Sequence, residues 1–160
     1  MKILVKSRNE IETKLKSEPN WFSDKYIISI YSNGCKSPFE SRFNVLQLCF
    51  DDVTEDEKLG IHFSQSHAMS VMDFIKDIPA NSYKLFYVHC DAGISRSGAI
   101  GYMLNEYFNK FLQNNKEDNR FFQTNNLHIL PNPEVVRVLK KVMFNINYEN
   151  LFNEVNNNNE

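Results

Sequence analysis

The stretch Val88-His89-Cys90-Asp91-Ala92-Gly93-Ile94-Ser95-Arg96-Ser97-Gly98 decides how this chain is read. It starts at the end of an apolar run, Leu85 to His89. It closes where Ile100, Met103, Leu104, Tyr107, Phe108 and Phe111 begin to recur at helical spacing. A buried strand ending at His89 and a helix starting at or just after Arg96 leave a loop of about five residues between them. Such a junction gathers backbone N–H groups and the positive end of a helix dipole, so it is an anion site before any side chain is added. Gly93 allows a conformation or a close approach that a Cβ would obstruct. Arg96 adds a planar fork matched to two oxygens of a phosphate or sulfate. Cys90 sits at the base, where a helix N-terminus and a guanidinium favour the thiolate, the nucleophilic form of cysteine. The loop both holds an oxyanion and aims sulfur at it, which is the chemistry of a phosphate ester attacked at phosphorus.

Outward from the loop, Ile3-Leu4-Val5, Ile27 to Tyr31 and Val45 to Phe50 read as further short strands separated by helical patterns. The alternation predicts an α/β fold, a short and mostly parallel central sheet flanked by helices, with the loop between a strand and a helix. Ala68, Val71, Met72 and Ile75 mark a helix that Ser64 or Ser66 can cap and Pro79 closes. A last helix is signposted by Asn132 as cap, Pro133 at its first position and a stripe of Val135, Val136, Leu139, Val142 and Met143. The aromatic-rich and Asn-rich piece from Asn114 to Leu130 has no clear period.

A chain of 160 residues, 42% hydrophobic and 24% charged, fits one compact domain, read here as residues 1–150 followed by a flexible polar tail, 151–160. A net charge of −2 gives no global attraction for nucleic acid or anionic lipid, and neither nucleic acid nor membrane is expected as a partner. The N-terminus lacks a signal-peptide pattern and no run is long enough to span a bilayer, so a cytoplasmic location is expected. Cys35, Cys49 and Cys90 match no zinc spacing, and no metal or cofactor is expected. Cys49 reads as core and Cys35 as a loop thiol; a reversible disulfide from either to Cys90 is the redox alternative. His62, His67 and His128 are scattered and suggest no ligand set. Gly93 to Gly98 starts like a nucleotide-binding loop but continues with Ala99-Ile100, where that motif needs Lys and Ser or Thr.

Cys-x5-Arg, preceded by a strand and His89 and followed by Ser97 and a helix, resembles the signature loop of the cysteine-dependent protein tyrosine phosphatase superfamily. The small size resembles its dual-specificity branch and compact microbial and viral predicted protein tyrosine phosphatases. Ser7-Arg8, Phe50-Asp51-Asp52-Val53 and Leu130-Pro131-Asn132-Pro133 extend the likeness over most of the chain. The resemblance implies Cys90 as nucleophile, Arg96 as phosphate clamp and Ser97 as the hydroxyl that assists sulfur as leaving group, with His89 tuning the thiol. It implies that the amides of Asp91, Ala92, Gly93, Ile94, Ser95 and Arg96 bind phosphate oxygens. Such enzymes add a carboxylic acid from another loop. Two successive aspartates beyond a strand point to roughly opposite sides, and the similar families favour the second, Asp52; Asp51 is then a turn residue.

The expected activity is hydrolysis of phosphotyrosine, with phosphoserine and phosphothreonine as wider substrates, through a cysteinyl-phosphate, on phosphorylated protein partners. The alternatives are an RNA 5′-phosphatase or phosphoinositide phosphatase using the same loop, and a non-catalytic phosphate-reading module. Rhodanese-type sulfur transfer also uses a cysteine in an anion-binding loop, but its relatives generally lack the Gly-x-Ser-Arg-Ser arrangement.

Overall fold

The computed structural model describes residues 1–144; the remainder of the domain expected to reach residue 150, and the expected polar tail, lie outside the described residues. Among them, four strands, β1 (Ile3–Ser7), β2 (Tyr26–Tyr31), β3 (Val45–Cys49) and β4 (Phe86–Cys90), form one sheet in the order β1-β4-β2-β3. All three pairings are parallel, so the sheet is not merely mostly parallel. β4 lies inside, between β1 and β2. Its C-terminal end opens where the chain order along the sheet breaks, the place where open α/β sheets take their ligands.

The helices are α1 (Arg8–Ser17), α2 (Gln65–Ile75), α3 (Arg96–Asn105), α4 (Lys116–Asn125) and α5, helical from residue 133 to 144. Strand alternation divides the core between the two faces of the sheet. Ile28, Ile30, Leu48, Phe86 and Val88 face the larger core, shared with Val71, Ile75, Ile100, Leu104, Phe122 and Leu139. Ile27 and Val45 face the smaller one, with Ile11, Trp21, Phe22 and Phe39. α3 lies close against β1 because Gly101 has no side chain; a Cβ there would stand 2.6 Å from Val5 Cγ2.

Local signals account for the helix ends. Ser7 ends β1 and at once caps α1, accepting from the Glu10 amide while Glu10 accepts from the Ser7 amide at 2.8 Å. Ser64, not Ser66, caps α2, and His67 completes the reciprocal pair. α3 runs into a π-helical segment, Glu106–Leu112. Its wider turns rotate the apolar stripe, which leaves Phe111, the last of the residues at helical spacing, 41% exposed. The unreadable stretch after Asn114 forms α4, capped by Asn115 and ended by a buried Asn126. The Asn126 amide accepts from Val5 N at 2.7 Å and donates to Ile3 O at 3.1 Å, closing the free edge of β1 as a neighbouring strand would.

Candidate active site

β4 runs one residue further than expected, so Cys90 is its last residue, 2% exposed beneath the loop. The loop spans residues 91–95 and α3 begins at Arg96. Gly93 takes φ +73°, a left-handed conformation that other residues adopt at a cost. A Cβ on it would stand 2.5 Å from Lys6 C and Ser7 N, main-chain atoms of β1 that cannot swing aside. The loop is further tied at both ends, by Arg8 N donating to Asp91 O at 3.1 Å and by Leu130 N donating to Ile94 O at 3.1 Å.

Cys90 Sγ lies 3.0 Å from Ser97 Oγ, both buried. Arg96, 5% exposed, donates through Nη1 to Ser32 Oγ at 2.8 Å and to Phe50 O at 2.9 Å, and through Nη2 to Asp91 Oδ2 at 2.6 Å. Its buried Nε has no protein partner. One edge of the guanidinium is thus fastened to the ends of β2 and β3 and to the loop, while the Nε–Nη2 side keeps donor capacity for two oxygens.

His89 alternates with Cys90 along β4 and so enters the smaller core, where Nε2 lies 2.8 Å from Ser29 Oγ. Burial pushes its pKa down to about 4, only partly offset by the Cys90 backbone, so the imidazole is neutral at pH 7. Ser29 in turn meets Ser37 Oγ at 2.8 Å, which links His89 to the segment between β2 and β3.

The two aspartates after Phe50 diverge, as alternation requires. Asp52 Oδ1 accepts from Ser95 Oγ at 2.7 Å and from Asn132 Nδ2 at 2.9 Å, so this carboxylate touches the loop. Asp51 instead accepts from the amides of Ile61 at 2.8 Å and Asn33 at 3.1 Å. Those two hydrogen bonds, with Arg96 nearby, hold its carboxyl below the usual carboxylate range. Asn132, 4% exposed, does more than cap α5. It accepts from the Glu134 and Val135 amides, donates to Val53 O and sends its own amide to Ser95 O.

The structure therefore gathers Cys90, Arg96, Ser97, Asp52 and loop residues 91–95 at one end of the sheet and sends His89 to the other face. The side-chain contacts of Ser32, Asp91, Ser95 and Asn132 were not foreseen. Ser32 could be found only once β2 is known to neighbour β4, and Asn132 carried only a helix-cap signal. His62 and His67 act structurally: His67 accepts from the Ser64 amide in the capping pair of α2, and His62 joins Glu57 O at 2.8 Å to Glu134 at 3.3 Å. Cys35 is exposed and Cys49 half-buried, and both are free thiols. Cys49 is separated from β4 by the whole of β2, about 10 Å away, beyond disulfide reach.

No protein-family model matches the chain, and no curated protein matches it. Solved structures do. PTPMT1 in complex with PI(5)P superposes with a TM-score of 0.51 at 14% identity, over 92% of this chain and 94% of that one. The human tyrosine phosphatase-like serine/threonine/tyrosine-interacting protein gives 0.49 at 21% identity, over 91% and 86%. OH1 from the Orf virus, described as a tyrosine phosphatase with triple substrate specificity, gives 0.46 at 17%, over 89% and 82%. Across nine-tenths of its length, with Cys90 and Arg96 bracketing the loop at the end of the sheet, the chain has the fold of the protein tyrosine phosphatase-like proteins.

Proposed function

We propose that this chain is a cysteine-dependent phosphatase that hydrolyses phosphotyrosine, and phosphoserine and phosphothreonine more widely, in phosphorylated proteins. The observation that carries this reading is the buried Cys90–Ser97 contact at 3.0 Å under a loop bounded by a fastened Arg96. An inert core cysteine has no need of that surrounding.

In the first step the Cys90 thiolate attacks phosphorus, the bond to the leaving oxygen breaks, and Asp52 in its acid form gives that oxygen a proton. The loop amides and Arg96 hold the non-bridging oxygens as charge moves onto them. In the second step Asp52 takes a proton from water, the water oxygen attacks phosphorus, and the S–P bond breaks. Ser97 donates a hydrogen bond to the departing sulfur. His89, neutral and packed beneath β4, keeps the strand end in place.

A phosphoinositide is the second reading, since PTPMT1, similar in fold, was solved with PI(5)P. The phosphoprotein reading is preferred because loop positions 91–95 carry no cation and one carboxylate, a poor seat for a highly charged headgroup.

The test is turnover and binding in Cys90→Ser, with a phosphotyrosine peptide, a phosphothreonine peptide, PI(5)P and 5′-triphosphate RNA compared side by side. The expected result is hydrolysis of the phosphotyrosine peptide by the native chain and loss of turnover with retained binding in the variant. Turnover surviving in Cys90→Ser would overturn the mechanism, and preferential hydrolysis of PI(5)P would overturn the substrate class.

A further inference from the structure

Asp91 enters the proposed mechanism only through its backbone amide, yet its side chain makes the shortest contact of the clamp arginine. Its Oδ2 lies 2.6 Å from Arg96 Nη2 and accepts from Ser32 Oγ at 3.2 Å. The two partners differ in exposure: the Arg96 side chain is 6% exposed and that of Asp91 43%. The carboxylate therefore reaches from the rim of the cradle down to the guanidinium.

We infer that Asp91 is a specificity-determining residue, whose carboxylate on the clamp makes the site accept an isolated phosphomonoester and reject one with a second phosphate beside it. The inference rests on the reading of the loop as a phosphate site. With Asp91 on Arg96 the pair has no net charge, so a single phosphate is held by the amides, the helix terminus and the fork of the arginine. Those act at short range on the group inside the cradle. A second phosphate on the same ligand stays outside, near the rim, where it finds no uncompensated cation from the loop. There it meets the Asp91 carboxylate. One carboxylate at about 6 Å in a half-exposed setting disfavours such a neighbour by roughly tenfold. Phosphoamino acids, which present one phosphate on an otherwise uncharged side chain, escape that penalty.

The test compares two soluble probes on one scaffold, an inositol carrying a single phosphate and an inositol carrying two vicinal phosphates. Equilibrium binding is measured to the full chain in the Cys90→Ser background, which makes the readout independent of turnover. Adding Asp91→Asn keeps an oxygen for Arg96 and removes the charge. It is expected to shift the affinity ratio roughly tenfold toward the bisphosphate, with the shift shrinking as salt is raised. Asp91→Glu, which restores the charge, is expected to bring the preference for the monophosphate back. A ratio unmoved by Asp91→Asn, or moved equally by Asp91→Glu, would overturn the inference and leave the phosphatase reading standing. Failure of both inositol probes to bind any of the variants would overturn this inference, whereas the phosphate-site reading falls only if the phosphotyrosine peptide also fails to bind Cys90→Ser.

Discussion

The two loops that meet through Asp52 and Ser95 are built in opposite ways. The loop from Asp91 to Ser95 is short, continuous in sequence with the proposed nucleophile and clamp, and shaped by main chain packed on main chain, with Gly93 pressed against Lys6 and Ser7. The segment from Asp51 to Phe63 is long and is held by side-chain hydrogen bonds, most of them to groups remote in sequence. Asp51 clasps the amides of Asn33 and Ile61, His62 reaches Glu134, and Asn132 reaches Asp52 and Val53. The lesson is that the proposed anion cradle is fixed by main-chain packing, whereas the proposed acid is placed by a handful of separable contacts. Damage to the first should be all-or-none, and damage to the second graded.

The largest effect should come from Gly93→Ala. The new methyl meets fixed backbone, an overpacking cost of about 1–3 kcal/mol. The left-handed conformation adds about 1–2 kcal/mol. We expect a lower melting temperature and loss of phosphate binding together, measured by thermal unfolding with and without phosphate or vanadate. A Gly93→Ala protein that binds phosphate normally would show that the cradle is not set by that contact.

An intermediate effect separates the neighbouring aspartates. Asp52→Asn should slow hydrolysis of phosphotyrosine about 10²–10⁴-fold while sparing an activated aryl phosphate, whose leaving oxygen needs no proton. Asp51→Asn should leave that dependence on the leaving group unchanged and instead loosen the segment, because an amide oxygen replaces a carboxylate that now accepts two backbone N–H groups. Rates for a series of aryl phosphates of graded acidity decide the matter. If the two variants exchange these phenotypes, the acid is Asp51.

The smallest effect is one of pH. The hydrogen bond to Glu134 raises the pKa of His62, so its anchoring of the acid segment is fully present below the ordinary imidazole value of 6.5. That contribution is lost as pH rises through the raised value. Amide hydrogen exchange over residues 55–62 should therefore quicken on the alkaline side, after correction for intrinsic rates, and the pH dependence should vanish in His62→Gln. A profile identical in the variant would assign the anchoring to other contacts.

How much of this was legible in advance follows from the same contrast. Cys90, Arg96 and Ser97 could be read because a single strand-loop-helix junction carries them, and local periodicity locates both flanking elements. The choice between Asp52 and Asp51 was half legible: alternation says that they diverge, but only the packed structure says which one faces Ser95. The long-range contacts of the buried asparagines were illegible. Asn44 and Asn126 look in sequence like turn residues or low-complexity filler, and Asn132 shows only as a helix cap. Their role, hydrogen-bonding main chain that is remote in sequence, exists only once the strands and helices have come together.

By itself, then, the sequence determined the α/β class, through local periodicities repeated along the chain, and located the loop with the residues proposed as nucleophile and clamp, which lie within a dozen positions of one another. Tertiary structure alone decided the strand order β1-β4-β2-β3, which brings Ser32 and Phe50 to Arg96. It also set His89 against Ser29, set Asp52 against Ser95 and laid the Asp91 carboxylate on Arg96. The physical reason is range: backbone conformation and helix dipoles act within a few residues, whereas a side chain's hydrogen-bond partner depends on which distant segments the core has packed together.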